Sequence, residues 1–162
     1  AGLETPESMA PVVESMMELN KAAAEAMEGL EPHAVTDVTG FGLAGHLHEM
    51  LESSGNSAIL RWDSIPLYDR AYEYSSSGCR PGATFDTMEW ASAFVKKGRM
   101  DDITYDDRMG ILCDPQTSGG LLIALTPQEA QTYLERFKEL TGRDAAIIAE
   151  IIDGPGGVIF VR

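Results

Sequence analysis

Apolar residues at Met9, Val12, Met16, Leu19, Ala23 and Met27 recur at helical spacing, and Thr5-Pro6-Glu7 ahead of them supplies an N-cap followed by proline at the first helical position. This pattern predicts one amphipathic helix, stopped at Gly29 and kept from restarting by Pro32. Its methionines read as core packing. His33 to Val38 is short and rich in β-branched residues, which predicts a buried strand. Thr39-Gly40-Phe41-Gly42 then turns the chain into a second helix with Leu43, Leu47, Met50 and Leu51 inward and an end at Gly55.

Ser57 to Trp62 reads as another strand, and Leu67, Ala71 and Tyr74 keep helical spacing until Ser75-Ser76-Ser77-Gly78 breaks it. Between Arg80 and Arg108 only Met88 to Lys97 looks helical. Pro81-Gly82 and the aspartates Asp101, Asp102, Asp106 and Asp107 make the rest an expected irregular surface segment. Met109 to Cys113 is a brief apolar run, Asp114 to Gly120 a polar turn-rich loop, and Leu121 to Leu125 a strand. Thr126-Pro127-Gln128-Glu129 is a capping box that starts a helix with Tyr133, Leu134, Phe137 and Leu140 inward. Ala145 to Ile152 and Val158 to Val161, joined through Gly154-Pro155-Gly156-Gly157, predict a closing β-hairpin. Helices interleaved with short strands place the chain in the α+β class, with a mixed sheet covered by helices rather than a purely parallel one.

At 162 residues the chain has the size of a single compact domain, large enough to fold without disulfides or a structural metal. Cys79 and Cys113 are far apart and form no zinc or disulfide spacing, which fits a reducing cytoplasm. No apolar run reaches the length of a membrane span, and the first thirty residues lack a signal-peptide pattern. Twelve basic against twenty-six acidic residues, with the positive charges scattered, argue against a nucleic-acid partner and fit a well-solvated surface. The start at Ala1-Gly2-Leu3 suits a processed terminus or a chain cut at a domain boundary.

Thr36-Asp37-Val38-Thr39-Gly40-Phe41-Gly42-Leu43 sets an acid and two hydroxyls beside glycines at a helix start. Glycine lets backbone approach a ligand, a helix N-terminus favours phosphate, and Asp37 is a hard oxygen ligand of the kind Mg²⁺ takes together with phosphate oxygens. The same residues also suit a capped, tight strand-to-helix turn with no ligand at all. Neither GxxxxGK[ST] nor GxGxxG is present, so a complete nucleotide site is not expected here. Asp114-Pro115-Gln116-Thr117-Ser118-Gly119-Gly120 offers the polar side chains of Gln116, Thr117 and Ser118 and a nest of backbone donors at the paired glycines, or an ordinary turn. His46 and His48, two apart on a helix, do not form a zinc pair and read as packing or solvent residues, and His33 reads as a strand-end surface residue.

The run from Thr36 to His46, followed by Glu49-Met50, closely resembles the hallmark of the selenophosphate synthetases, or selenide, water dikinases. Asp114 to Leu122 is similar to that family's other C-terminal signature, and Met17 to Ala23 to its first helix, so the three matches span most of the chain. The fold relatives are the aminoimidazole ribonucleotide synthetases, thiamine-phosphate kinases and hydrogenase maturation factors. The resemblance implies the C-terminal domain of that superfamily, layered α/β/α around a mixed sheet. It makes Asp37 the counterpart of a Mg²⁺-binding aspartate, Thr36, Thr39, Gly40, Phe41 and Gly42 the loop shaping that corner, and Gln116 to Gly120 a second wall. Pro81 to Thr87 departs from the family pattern at Ala83 and Thr87. The implied parent is a cytoplasmic homodimer that converts ATP, selenide and water into selenophosphate, AMP and phosphate. Its glycine-rich loop, reactive cysteine or selenocysteine and remaining aspartates would lie in an N-terminal domain outside this sequence, and the fragment alone is expected to be inactive. Two other readings stand beside it: another ATP-dependent synthetase of the superfamily, or a stand-alone binding or regulatory module.

Overall fold

Thr5 is the N-cap of the first helix, α1 (Pro6–Met17), as its sequence predicts, and Ser8 makes the cap reciprocal. Its hydroxyl accepts the Ser8 N–H, and the Ser8 hydroxyl accepts the Thr5 N–H. The structure, a computed structural model, describes residues 5–162, so the Ala1-Gly2-Leu3 end lies outside the described residues. The predicted single helix is split. Glu18 is extended, and α2 (Lys21–Glu25) starts after Asn20, whose side-chain amide donates to the Gly119 carbonyl at 2.9 Å. The methionines of α1 do not pack in a core, since that helix buries no residue.

Strand β1 (Ala34–Asp37) leads into α3 (Gly42–Ser54), which ends at Gly55 as its pattern requires. Strand β2 (Ser57–Leu60) stops short of Trp62, which begins a single 3₁₀ turn, and the next helix, α4 (Ala71–Ser76), is only a turn and a half long. The segment expected to be irregular is ordered. It holds α5 (Gly82–Ala91), β3 (Val95–Lys97) and α6 (Asp102–Leu112), so the expected helix from Met88 to Lys97 is shifted and its last residues are a strand. The aspartates that looked like loop composition are helix chemistry. Asp101 caps α6 by accepting the Thr104 N–H at 2.9 Å, and Asp106 and Asp107 pair with the buried guanidinium of Arg80 at 2.9 and 3.3 Å.

Strand β4 (Leu121–Ala124) pairs antiparallel with β1, Asp37 opposite Leu121, in a two-stranded sheet of its own. That sheet has an open face. Val35 is exposed, so β1 alternates instead of being buried throughout. Helix α7 (Pro127–Thr141) is capped by Thr126, whose hydroxyl accepts the Glu129 N–H, while the Glu129 carboxylate accepts from the Thr126 hydroxyl and from the Glu31 N–H. Tyr133 is its buried residue, and Leu140 faces solvent.

The last strands, β5 (Ala149–Ile152) and β6 (Ile159–Val161), do not form the expected hairpin. The larger sheet runs β3-β6-β2-β5, with β2 inserted between the two arms, antiparallel to β5 and parallel to β6. Gly154-Pro155-Gly156-Gly157 crosses over the start of β2. Ser57 Oγ donates to the Pro155 carbonyl at 2.6 Å and the Gly157 N–H to the Asn56 carbonyl at 2.9 Å. These bonds hold the connection at the strand it steps over, where the turn composition alone suggested direct pairing. The core lies where Ala58, Leu60, Val95, Ile159 and Val161 of this mixed sheet meet Ala44, Leu47 and Leu51 of α3, Ala91 of α5, and Met109 and Leu112 of α6. Burying such side chains contributes roughly 1.5–3 kcal/mol each for the larger ones. The result is an α+β architecture in which α3 spans the distance between the core and the small sheet.

Candidate functional site

Asp37 is the last residue of β1, and the five-residue step to Gly42 places it above the start of α3. Its carboxylate is exposed and takes no hydrogen bond or ion pair among the described residues. Thr36 precedes it on a strand, so the two side chains leave opposite faces, and the Thr36 hydroxyl donates to the Asp37 carbonyl at 3.2 Å.

The two loops singled out in the sequence are brought together. The Gln116 N–H donates to the Thr39 carbonyl and the Val38 N–H to the Gly120 carbonyl, both at 3.0 Å. Close backbone approach explains two of the glycines. Gly42 has φ +63°, and a Cβ there would lie 2.7 Å from the Leu112 carbonyl oxygen; a Cβ on Gly119 would collide with the Val38 carbonyl. Gly40 has open space around it and serves as turn backbone. Gln116, Thr117 and Ser118 are exposed at the lip, with Ser118 at φ +51°.

Beneath this lip sits the carboxyl that opens the second segment, to which the residue pattern assigned no role. Asp114 accepts from Gln116 Nε2 at 3.1 Å and from the Thr84 hydroxyl at 3.5 Å, and burial pushes its pKa up from the usual carboxylate range. Thr84 lies in the Pro81 to Thr87 stretch that departs from the family pattern at Ala83 and Thr87. Cys113 beside it is fully buried, and burial pushes its thiol up to about 12, so it is a structural cysteine.

The residue pattern makes His46 a packing or solvent residue, yet both of its ring nitrogens are engaged. Nε2 lies 3.0 Å from Thr39 Oγ1, and Nδ1 lies 3.0 Å from the Glu49 carboxylate. Only proximity in the fold reveals this, because Thr39 is seven residues away across the turn. Phe41, half exposed, tilts against His46 and Trp90 with ring centroids 5.8 and 5.6 Å away. His48 stacks on Phe94 instead and faces the Gly157 carbonyl. His33 stays exposed at the strand entrance.

Among the described residues no three acidic, imidazole or thiol side chains gather as a metal cage. A single exposed carboxylate fits Mg²⁺ only where phosphate oxygens and water complete the shell, which is how that ion is commonly held. A concavity of about 980 Å³ lies to one side among Leu43, Leu47, Tyr133, Phe137 and Ile148. Its apolar floor suits packing rather than phosphate, and its rim at Val38, Gln116, Ser118, Gly119 and Gly120 borders the polar corner.

Residues 3–162 match the family described as AIR synthase related protein, C-terminal domain. The chain belongs to this family. Among curated proteins similar in sequence, the selenide, water dikinase of Pelobacter propionicus is 36% identical over 155 residues, covering 96% of this chain and 44% of that protein. The selenide, water dikinase of Aeromonas hydrophila subsp. hydrophila is 50% identical over 119 residues, covering 74% and 32%. The AIR synthase related domain thus spans less than half the length of these curated relatives. Solved structures of similar fold include E. coli HypE, a hydrogenase maturation protein, at TM-score 0.53, 17% identity and coverage of 86% of this chain and 34% of that one. HypE in complex with ATP gives TM-score 0.54 at 18% identity, covering 89% and 36%. At such identities the likeness establishes the AIR synthase related fold alone. No helix among the described residues is long and apolar enough to cross a membrane.

Proposed function

We propose that this chain serves as the C-terminal domain of a selenide, water dikinase and forms one wall of a cleft for ATP and Mg²⁺, the other wall belonging to an N-terminal domain. The observation that carries the proposal is the stitching of the Asp37–Gly42 loop to the Gln116–Gly120 loop by two backbone hydrogen bonds. Two sequence signatures more than seventy residues apart thereby become one polar lip, with an unpaired carboxylate at its edge. The similarity to curated dikinases over most of the chain supports the same reading.

In this role Asp37 is the residue that would hold Mg²⁺, and the ion would neutralise phosphate charge as ATP is converted with selenide and water to selenophosphate, AMP and phosphate. Thr39, Gly40, Phe41 and Gly42 fix the backbone that aims Asp37. Gln116, Thr117, Ser118, Gly119 and Gly120 present donors from the opposite side, and Thr36 steadies the carbonyl of the strand end. The enzyme so assembled acts in the cytoplasm as a homodimer. In the full-length enzyme, Asp37→Ala should lower selenide-dependent AMP formation by more than about a hundredfold while leaving the circular dichroism spectrum and melting temperature in place. Near-normal turnover in that variant would remove Asp37 from the metal site. Calorimetry adds a second check: Mg²⁺-ATP should bind the full-length enzyme and not this chain alone, and tight binding by the chain alone would move the nucleotide elsewhere.

A further inference from the structure

The Thr39–His46–Glu49 chain of contacts has an internal logic. His46 and Glu49 are three apart on α3 and share a face, and the 3.0 Å contact sets an acceptor-only carboxylate against Nδ1. In a neutral imidazole the proton must then sit on Nδ1, which leaves Nε2 with a lone pair. Thr39 Oγ1, 3.0 Å from Nε2, can meet that lone pair only by donating its own proton. The oxygen lone pairs of Thr39 are what remain for the cleft. His46 is buried while Glu49 is exposed, so the ring is held from behind by a carboxylate at the surface and covered by Phe41 in front.

We infer that His46, oriented by Glu49, is a positioning residue that fixes the Thr39 hydroxyl as a hydrogen-bond acceptor toward the cleft beside Asp37. This rests on the reading of the cleft given above. A hydroxyl free to rotate could donate to a phosphate oxygen or accept from a donor. Thr39 is restricted to the second, which would suit it to accept a hydrogen bond from a water bound to the cation and not to hold a phosphate. Such a device also explains why a buried histidine stands in the first turns of a helix whose other inward residues are small or aliphatic. Its two polar nitrogens are both satisfied, and its orientation is decided by a residue that touches nothing in the cleft.

The test has two arms. On the protein labelled with ¹⁵N-histidine, at about pH 8.5 where an ordinary imidazole is neutral, His46 should show a protonated Nδ1 and an unprotonated Nε2. A proton on Nε2 overturns the inference, and this spectrum is informative whatever reaction the enzyme catalyses. Glu49→Leu, at an exposed helix position, should release the ring to the other tautomer and lower kcat of the full-length enzyme roughly tenfold, the scale of one positioned hydrogen bond. Glu49→Gln, whose amide oxygen still accepts from Nδ1, should restore both the tautomer and most of the rate. Adding Thr39→Val to Glu49→Leu should cost no further activity, because both act through one hydroxyl. Unchanged kcat in Glu49→Leu, or additive losses in the double variant, refutes the relay while leaving Asp37 and the dikinase reading intact. A wild-type enzyme with no selenide-dependent turnover refutes that reading instead, and the tautomer still decides the relay.

Discussion

Gly42 carries two constraints at once. Its φ of +63° is a conformation that side-chain-bearing residues rarely adopt, and backbone of the α6 end fills the space where a Cβ would go. Gly42→Ala is therefore expected to destabilise the domain by about 2–4 kcal/mol, read as a lowered urea midpoint at unchanged m-value. A loss below about 0.5 kcal/mol would mean that the two loops can part cheaply. Asp114 makes a different prediction at the same scale. Burial raises its folded pKa above the unfolded value, so the native state binds its proton more readily than the unfolded state does. The favourable contribution exists below the unfolded pKa near 3.8 and is lost as pH rises through the raised folded value. Asp114→Asn keeps the shape and removes the charge, so its stability relative to wild type should climb between about pH 4 and pH 7. A difference that stays flat with pH would show that Asp114 ionises as easily folded as unfolded.

Among the elements, α4, α5 and α6 are joined by one cation. Arg80 lies in the connection between α4 and α5, its side chain buried, donating to the Ser75 carbonyl at 2.9 Å and pairing with Asp106 and Asp107 of α6. Arg80→Ala leaves the partly buried Asp107 without its cation, with the Tyr72 hydroxyl at 3.4 Å as its remaining donor, and should cost about 2–3 kcal/mol, with hydrogen exchange rising first in α4 and α6. Uniform loss of protection across the larger sheet would contradict a local clasp. This segment also shows where sequence reading reached its limit. Period and caps located α3, α7 and the strands around the site because Leu43, Leu47 and Leu51, Thr126 and the β-branched runs signal locally. The order between residues 80 and 108 depends on Arg80 meeting two aspartates more than twenty-five residues away, which no local window contains. The same distinction holds at the site. Asp37 and the glycine loops were legible from composition and resemblance, whereas the Thr39–His46 contact and the Asp114 carboxyl beneath Gln116 exist only after the chain has folded back on itself. The apolar period of α1 was misleading because the helix buries none of the residues in that stripe.

Over the whole molecule, a formal charge of −14 on 162 residues is a standing self-repulsion, and the exposed ion pairs offset little of it. Raising ionic strength from about 20 to about 200 mM shortens the Debye length severalfold, so the melting temperature should rise by about 2–4 °C. A fall over that range would mean that surface pairs outweigh the repulsion. The strand order of the larger sheet has a further consequence, in time instead of space. Strand β2 is a run of Ser57-Ala58-Ile59-Leu60 whose partners β5 and β6 lie on the order of a hundred residues later, at Ala149–Ile152 and Ile159–Val161. During synthesis, at about 5–20 residues per second, that apolar strand leaves the ribosome with both edges bare and stays so for roughly 5–20 seconds. A nascent chain of this topology is a client for whatever cellular factor shelters unpaired strands.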